Sequence, residues 1–475
     1  MYRFKFYDRE RELKLFERIT KGKGTRFVIV KGLRRIGKTR TVLEALKNKN
    51  YAYIFIPKDK SKDLFLEEIS QDLKIPRFTS LKDFFNYVFE KFEIVFLDEF
   101  QNFYFTDSSA YSELQRIIDE FKREGKNLCL IVSGSSYSLM NKIFSNYSKA
   151  LYGRRDLEIT LDELPAPDVI SLLEDIGFRK MEEKIAIWSI FGGIPKFYET
   201  MYNLNITTFS EFLNIFFREN FKVLLDEGSA ILKSEFGGEY KSFYTCMEAI
   251  ALGKTKLSEI TSVFSNDVNK ANRYVSLLIK EYNLVRRVSP LIKLKRTKES
   301  RYEIKNNFFN FWFRFVKRYE HYYEQGNISA IGEIFNRDFN SYLGRMFEKF
   351  CVEAIRNVFK KFSFVGRQWG KIPSEFKPEK GSDTYEIDIV ALNEKTKEFL
   401  LAECKWQNRV NARKICKELA EKSQYVQWYN DKRKESFAIF AKSFSRKIEE
   451  FEGRKVYCFD LRDIERTAKN SRKMD

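Results

Sequence analysis

The stretch VKGLRRIGKT, residues 30–39, combines two glycines, a lysine and a threonine at a spacing that suits phosphate chemistry. The pattern G-x4-GK[ST] lets backbone N–H groups turn around a phosphate, places a lysine on the β- and γ-phosphates and offers a hydroxyl to Mg²⁺. A basic surface turn that matches by chance is the alternative interpretation. The phosphate-binding interpretation assigns nucleotide contacts to Gly32, Leu33, Arg34, Arg35, Ile36, Gly37, Lys38, Thr39 and Arg40.

A pair of acidic residues follows an apolar run in EIVFLDEFQNF, residues 93–103. At the end of a strand, Asp98 could hold a magnesium shell with Thr39, and Glu99 could orient the water that attacks the γ-phosphate. A third apolar run, LCLIVSGSS, leads to Ser133, which we expect to meet the γ-phosphate or that water.

A second set of charged residues lies in TYEIDIVALNEKTKEFLLAECKW, residues 384–406, which consists of two strand-like runs around a polar turn. If the turn is 394–397, Asn393 pairs with Glu398, and the same register places Asp388 opposite Glu403. Lys405 shares a strand face with Glu403 because side chains alternate. Two carboxylates and an ammonium could hold a hard cation and stabilise charge on a phosphate. A solvated, salt-bridged sheet face is the alternative.

The elements that must position these residues follow from apolar periodicity. FVIVK (27–31) is typical of a buried strand, and TRTVLEAL (39–46) has apolar residues at helical spacing. Three strands in this order, with helices between them, predict an α/β domain with a parallel P-loop sheet. Farther along, FSEFLNIFFRENFKVLL carries phenylalanines at helical spacing, which indicates core packing.

The pattern of residues 241–305 predicts a winged helix-turn-helix, with 269–282 as recognition helix and a hairpin at 286–301 as wing. The wing carries Lys293, Lys295, Arg296 and Lys298, which suit DNA phosphates. A rigid packing module is the alternative. FFNFWFRFV (308–316) predicts a packed joint, and EQGNISAIG (324–332) predicts a linker.

Composition narrows the class of protein. The chain has 475 residues, enough for two to four domains, and a formal net charge of +19, which favours phosphate-rich partners. Six cysteines without a CxxC pair, and His321 as the single histidine, argue against structural zinc and favour reduced thiols. Without an 18-residue apolar run or an N-terminal leader, we expect a soluble, cytoplasmic protein without a membrane partner.

The N-terminal motifs resemble the archaeal ATPase family, P-loop proteins related to the AAA+ and STAND groups. The resemblance is carried by FYDREREL (6–13), GLRRIGKT, VFLDEFQ, SGSS, LYGRR (151–155) and GGIPKF (192–197). It implies that Asp8 and Arg9 lie over the adenine, that Arg154 or Arg155 approaches the γ-phosphate, and that Pro195 closes on the nucleotide from a helical lid. For the two arginines, a surface salt bridge is the alternative.

The C-terminal residues resemble the PD-(D/E)XK nuclease superfamily, through Asp388 and Glu403-Cys404-Lys405, with Glu348 on the preceding helix FNSYLGRMFEKFCVEAI. The resemblance implies a restriction-endonuclease-like α/β domain in which Asp388, Glu403 and Glu348 bind Mg²⁺. Lys405 would act on the attacking water or the scissile phosphate. A nuclease fold that has lost activity is the alternative.

These observations predict a P-loop ATPase domain with lid (1–200), a helical segment with winged helix (201–323) and a nuclease-like domain (324–475). The expected function is that of an ATP- and Mg²⁺-dependent ATPase that associates with DNA and cleaves it at the C-terminal site. The alternative is a STAND-like switch that binds DNA or protein. A helicase motor is a third interpretation, but we find no second RecA-like domain; a homo-oligomer is compatible with each.

Overall fold

The computed structural model describes residues 4–237, 240–292, 300–378 and 381–471. Within these ranges, the N-terminal sheet has five strands, β1 (Thr25–Gly32), β2 (Ala52–Phe55), β3 (Ile94–Asp98), β4 (Leu128–Gly134) and β5 (Leu157–Leu161). Their order is β2-β3-β4-β1-β5, and every neighbouring pair is parallel. The predicted parallel sheet is therefore confirmed, with β2 and β5 added to the three strands expected.

Helices cover both faces of this sheet because side chains of a buried strand alternate between two apolar layers. Val28 packs in one layer with Phe16, and Ile29 packs in the other with Phe84. The helices of this part are α1 (Glu10–Thr20), α2 (Lys38–Ala45), α3 (Lys62–Asp72), α4 (Leu81–Lys91), α5 (Phe103–Thr106), α6 (Ala110–Glu124) and α7 (Tyr137–Phe144). A 3₁₀ turn at Phe100–Asn102 follows β3.

A helical layer follows β5. Its helices are α8 (Ala166–Ile176), α9 (Met181–Phe191), α10 (Pro195–Asn203), α11 (Phe209–Leu213) and α12 (Phe221–Phe236), with a π-helical segment at Asn214–Glu219. Phe212, Phe216 and Phe221 are buried, so the prediction that these aromatic residues form core is confirmed.

Three helices and a hairpin come next: α13 (Tyr240–Ala251), α14 (Leu257–Thr261), α15 (Val268–Lys280), and the antiparallel strands β6 (Val285–Val288) and β7 (Arg301–Ile304). A 3₁₀ turn lies at Ser262–Phe264. The helix and hairpin lie where the recognition helix and wing are expected, but Lys293, Lys295, Arg296 and Lys298 lie outside the described residues.

The aromatic joint is α16 (Asn307–Phe311), a π-helical segment (Trp312–Val316), a 3₁₀ turn (Lys317–Tyr319) and α17 (Glu320–Glu324). Trp312 is fully buried, as the packing interpretation expects.

The linker predicted at 324–332 is wrong over most of its length, because α18 runs without interruption from Ile328 to Val358. The Asn327 side chain accepts from the Ala330 N–H at the start of the helix. Ile331 and Phe335 follow at helical spacing, and both side chains are buried in the core. This packing outweighs the helix-breaking tendency of Gly332.

The C-terminal sheet contains, among the described residues, β8 (Phe364–Lys371), β9 (Thr384–Asn393), β10 (Glu398–Lys405), β12 (Lys434–Ala441), β14 (Glu450–Phe451) and β15 (Arg454–Phe459). The order is β14-β15-β12-β10-β9-β8, and β8, β9 and β10 are antiparallel neighbours. A 3₁₀ turn (Ser374–Phe376) precedes β9, and β11 (Val410–Asn411) pairs with β13 (Phe444–Arg446).

Two helices cover opposite faces of the C-terminal sheet. Leu400 packs in the layer of α18, whereas Leu401 packs in the layer of α19 (Ala412–Gln424). The last helix, α20 (Leu461–Ser471), returns to α8 and α9, where Glu465 pairs with the buried Lys184. None of the helices in the described ranges is both long and apolar enough to span a bilayer.

Candidate nucleotide site and C-terminal carboxylate site

The loop between β1 and α2 depends on two glycines for different reasons. A Cβ on Gly32 would lie 2.8 Å from Ile36 Cγ2 and 2.9 Å from the Leu161 carbonyl oxygen, so there is no room for a side chain. Gly37 has φ +91°, a conformation that side chains disfavour. The loop therefore keeps its backbone close to the sheet and turns sharply into α2.

Lys38 lies inside this loop. Its Nζ donates to the carbonyl oxygens of Gly32 at 3.0 Å and Leu33 at 3.1 Å, and the residue is 5% exposed. Burial lowers the pKa of Lys38, while Glu99 and Asp98 act in the opposite direction. A phosphate offers the ammonium better oxygen ligands than neutral carbonyls do, so Lys38 is held ready for an anion.

Asp98 is the centre of a polar cluster at the ends of β3 and β4. Its Oδ2 accepts from Thr39 Oγ1 at 2.6 Å and from the Tyr53 hydroxyl at 3.3 Å, and its Oδ1 accepts from Ser133 Oγ. The expected magnesium ligands Thr39 and Asp98 are thus in direct contact, and a hydroxyl beside a carboxylate fits that ion. Ser133 is fully buried and contacts Asp98.

Glu99, the candidate for water activation, has φ +55° and contacts residues that the sequence interpretation left without a role. Its Oε2 accepts from Ser135 Oγ at 2.6 Å and Gln101 Nε2 at 2.5 Å. The hydroxyl next to this carboxylate thus belongs to Ser135, two residues beyond Ser133. For the contacts of Ser135 and Gln101 with Glu99, the sequence offers one indication: both residues lie within the motifs quoted above.

The residues expected on the adenine side lie together beside α2. Arg9, 4% exposed, donates to the Asp162 carbonyl oxygen at 2.6 Å and lies 3.9 Å from the carboxylate of Asp8. Arg40 packs over aromatic rings of the N-terminal segment. Arg9, Arg40 and Pro195 line one small, mostly apolar cavity with Gly37, Phe4 and Tyr7.

Helix α12 brings one buried carboxylate to the loop between β1 and α2 and a second to the start of α7. Glu227 lies 2.5 Å from Arg35 Nε. Glu235 accepts from Ser136 Oγ at 3.1 Å and the Tyr137 N–H at 3.2 Å, and burial raises its pKa to about 7. No sequence motif identifies these contacts, because they join segments separated by about a hundred residues or more.

Arg154 does not reach the loop of its own chain, which corrects the assignment of this residue to the γ-phosphate. It forms a bidentate ion pair with Asp119 of α6. Strand β5 follows Arg154 and starts opposite Val28 of β1. Arg154 therefore lies at the end of the sheet that is farther from the phosphate loop, which is the segment between β1 and α2. Arg155 pairs with Glu158 at 3.2 Å. For both arginines, the salt-bridge alternative describes this structure.

The C-terminal site has the strand register expected for it. Glu398 pairs with Asn393, and this register places Asp388 opposite Glu403. Asp388 Oδ2 accepts from the Cys404 N–H at 2.8 Å. Glu403, 6% exposed, pairs with Lys405 at 2.7 Å and with Lys422 of α19 at 3.3 Å.

Glu348 does not complete a three-carboxylate metal site, so that part of the assignment is corrected. Across the described ranges, no group of three or more His, Cys, Asp or Glu side chains is arranged to hold a metal ion. The reason is that Glu348 belongs to the helix on the sheet face opposite α19, and it lies 3.4 Å from Arg367. Mg²⁺ commonly takes one or two protein carboxylates and completes its shell with water and phosphate, so Asp388 and Glu403 fit it without Glu348.

Like charges still influence one another across this site. Burial and the Asp388 charge raise the pKa of Glu348, and burial and the Glu403 charge raise the pKa of Asp388. A cation placed among these groups would relieve both effects.

Comparisons with known proteins place the chain in a family. Residues 6–201 match a family described as an ATPase domain predominantly from Archaea, and residues 312–415 match archaeal and bacterial proteins of unknown function. An uncharacterised protein of Methanocaldococcus jannaschii is 30% identical over 470 residues, covering 97% of this chain and all of that protein. The chain belongs to this archaeal ATPase family.

One solved structure supports the same fold. A Walker-type ATPase of Pyrococcus abyssi superimposes with a TM-score of 0.50 at 17% identity, covering 66% of this chain and 97% of that one. The ORC2 protein of Aeropyrum pernix has a TM-score of 0.38 at 12% identity, with 68% and 95% covered. Family membership establishes an ATPase domain in this chain.

Proposed function

We propose that this family member hydrolyses ATP with Mg²⁺, associates with DNA, and cleaves phosphodiester bonds at its C-terminal site under the control of the bound nucleotide. The observation that carries the proposal is the meeting of Asp388, Glu403 and Lys405 on adjacent strands. A pair of carboxylates, one buried and one partly buried, beside an ammonium is costly to maintain for stability alone, and such costs are typical of functional sites.

The ATPase half rests on the contacts around Asp98. Lys38 would bind the β- and γ-phosphates, and Thr39 with Asp98 would hold Mg²⁺, which neutralises charge developing on the phosphates. Glu99 would orient the attacking water, and its position is set by Ser135 and Gln101. The residues assigned to hydrolysis thus all lie in the N-terminal domain.

At the C-terminal site, Asp388 and Glu403 would hold a divalent ion that polarises the scissile phosphate and lowers the pKa of a bound water. Lys405 would stabilise negative charge developing on the phosphate. Glu348 would act as a neighbouring carboxylate paired with Arg367.

DNA association is supported by the overall charge of +19 and by the helix and hairpin of residues 268–304, which resemble a winged helix-turn-helix. Lys270, Arg273 and Lys280 of α15 are exposed. Such a surface would contact DNA phosphates, while base contacts would set any sequence preference.

A STAND-like switch is the second candidate, and the contacts of α12 favour it. Glu227 and Glu235 hold the phosphate loop and the start of α7, so nucleotide binding would change what α12 packs against. In this alternative the C-terminal domain binds a partner and does not cleave.

The deciding experiment incubates the protein with single- and double-stranded DNA, with Mg²⁺ or Mn²⁺, with and without ATP. Asp388→Ala tests the cleavage site, Lys38→Ala tests nucleotide control, and Asp383→Ala, which removes an exposed carboxylate, serves as matched control. We expect cleavage to be lost in Asp388→Ala and kept in Asp383→Ala. Absence of cleavage with intact ATP hydrolysis would refute the nuclease and leave the switch.

A further inference from the structure

A cavity of about 550 Å³ lies between the β6–β7 hairpin and α18. The hairpin contributes Arg287, α18 contributes Arg345 and Glu348, and β8 contributes Arg367. Its described lining includes neither the phosphate loop nor the Asp388, Glu403 and Lys405 cluster, so it is a separate site that borders the latter through Glu348.

The lining of this cavity is strongly cationic. Of the described residues that line it, eight are arginine or lysine and three are glutamate. A concave surface with such a charge excess concentrates its positive potential and favours anions. The basic residues are Arg286, Arg287, Arg301, Arg314, Arg345, Lys349, Arg356 and Arg367.

Part of this charge is used to fasten the hairpin to the C-terminal sheet. Arg286 pairs with Glu303 at 3.0 Å, Arg301 pairs with Glu386 at 2.8 Å, and Arg367 reaches both glutamates at 3.0 and 2.7 Å. One of these four bridges lies within the hairpin, two join it to β9 and β8, and the last joins β8 to β9. Together they engage three of the eight cations.

Within the described part of the chain, the other five cations have no carboxylate at ion-pair distance. Arg314 and Arg356 donate to backbone carbonyl oxygens. For Arg287 and Arg345, no carboxylate of the described chain comes within the 4.0 Å of an ion pair, and both are exposed. In addition, the buried Nε atoms of Arg314 and Arg367 have no hydrogen-bond partner among the described residues. Unpaired guanidinium groups around a cavity suit an oxyanion, which accepts several N–H bonds at once.

We propose that this cavity binds the phosphate groups of a nucleotide or of a single nucleic-acid strand. Its volume is that of a small-ligand site, so a single strand fits and a duplex does not. The inference rests on the DNA-association part of the proposed function and is independent of cleavage. A strand bound in this cavity would lie between the hairpin and α18, next to the carboxylates of the proposed cleavage site.

The test measures binding of a fluorescent oligothymidylate of about twelve residues, by anisotropy in EDTA so that no metal-dependent cleavage occurs. The cavity variant is Arg287→Ala/Arg345→Ala, which leaves all four of these ion pairs intact. The matched control is Arg77→Ala/Arg116→Ala, which also removes two exposed arginines but from the N-terminal domain.

We expect the cavity variant to bind at least tenfold more weakly, and its slope of log K against log salt to fall by about 1.4, since each phosphate contact on a single strand contributes about 0.7. The control should match the unmodified protein. Equal affinities and slopes for the two variants would overturn the inference.

Competition with thymidine monophosphate separates the two sources of phosphate. Displacement of the strand by the mononucleotide assigns the cavity to a free nucleotide, and failure to displace it assigns the cavity to a strand. Arginine-dependent binding without cleavage would refute the proposed nuclease and keep this inference, whereas cleavage by a protein whose strand binding is indifferent to both arginines would refute this inference alone.

Discussion

Replacing Glu235 by glutamine should stabilise the protein at alkaline pH. The carboxyl of Glu235 is 6% exposed, and burial raises its pKa to about 7 from the ordinary 4.5. Between these two pH values the folded chain holds a proton that the unfolded chain releases. Stability therefore falls as pH rises from 4.5 to 7, and above pH 7 the loss is complete.

The size of this effect follows from the two pKa values. At about 1.4 kcal/mol per pH unit, the ionised carboxyl costs the folded state about 3 kcal/mol above pH 7. Glutamine keeps one oxygen to accept from the Tyr137 N–H, its amide nitrogen can donate to Ser136 Oγ, and it does not ionise. Glu235→Gln should thus gain up to about 3 kcal/mol at pH 8 and almost nothing at pH 4.5.

Calorimetric unfolding at both pH values measures this difference. For a unit of about 200 residues, the gain corresponds to roughly 6–12 °C in Tm at pH 8. Asp226→Asn is the matched control, because Asp226 is an exposed carboxylate on the same helix. A gain of equal size at both pH values, or a loss at pH 8, would refute the reasoning from burial.

Three further substitutions test other parts of the structure. Gly228→Ala should cost about 3 kcal/mol, because its Cβ would lie 2.3 Å from the buried Trp312 ring, and urea unfolding measures this. Asp388→Asn should lose cleavage. At pH 8 it should also unfold at a higher temperature than the unmodified chain, with no such gain at pH 4, because asparagine keeps an acceptor for the Cys404 N–H but removes a charge from a partly buried position. Arg154→Ala should leave ATP hydrolysis unchanged, and a loss would mean that Arg154 acts on the nucleotide of another copy.

The features that sequence predicted well depend on local geometry. Parallel strands end at one edge of a sheet, so the contact between Thr39 and Asp98 follows from motif order. A four-residue turn fixes the register of an antiparallel pair, so Asp388 opposite Glu403 follows from counting residues.

The features that sequence did not predict depend on how distant segments pack. Glu227 reaches Arg35, and Glu235 reaches the start of α7, only because α12 docks there, and nothing in their local sequence specifies that docking. Arg154 was assigned to the γ-phosphate by resemblance, and a resemblance does not show at which end of the sheet a residue lies. Glu348 is a carboxylate, as expected of a metal ligand, but its helix α18 lies on the face of the C-terminal sheet opposite α19.

The continuity of α18 changes how the two sites can communicate. A flexible linker at 324–332 would let the ATPase and C-terminal parts move independently, whereas a helix of 31 residues moves as one piece. The Tyr342 hydroxyl donates to the Ser189 carbonyl oxygen at 2.6 Å, and Glu353 accepts from the Ala166 N–H at 2.8 Å, so α18 is attached to α9 and α8. Glu348 lies between these two attachments. A shift of α8 and α9 would therefore be carried along α18 to Glu348, which would link the N-terminal part to the surroundings of the C-terminal carboxylates.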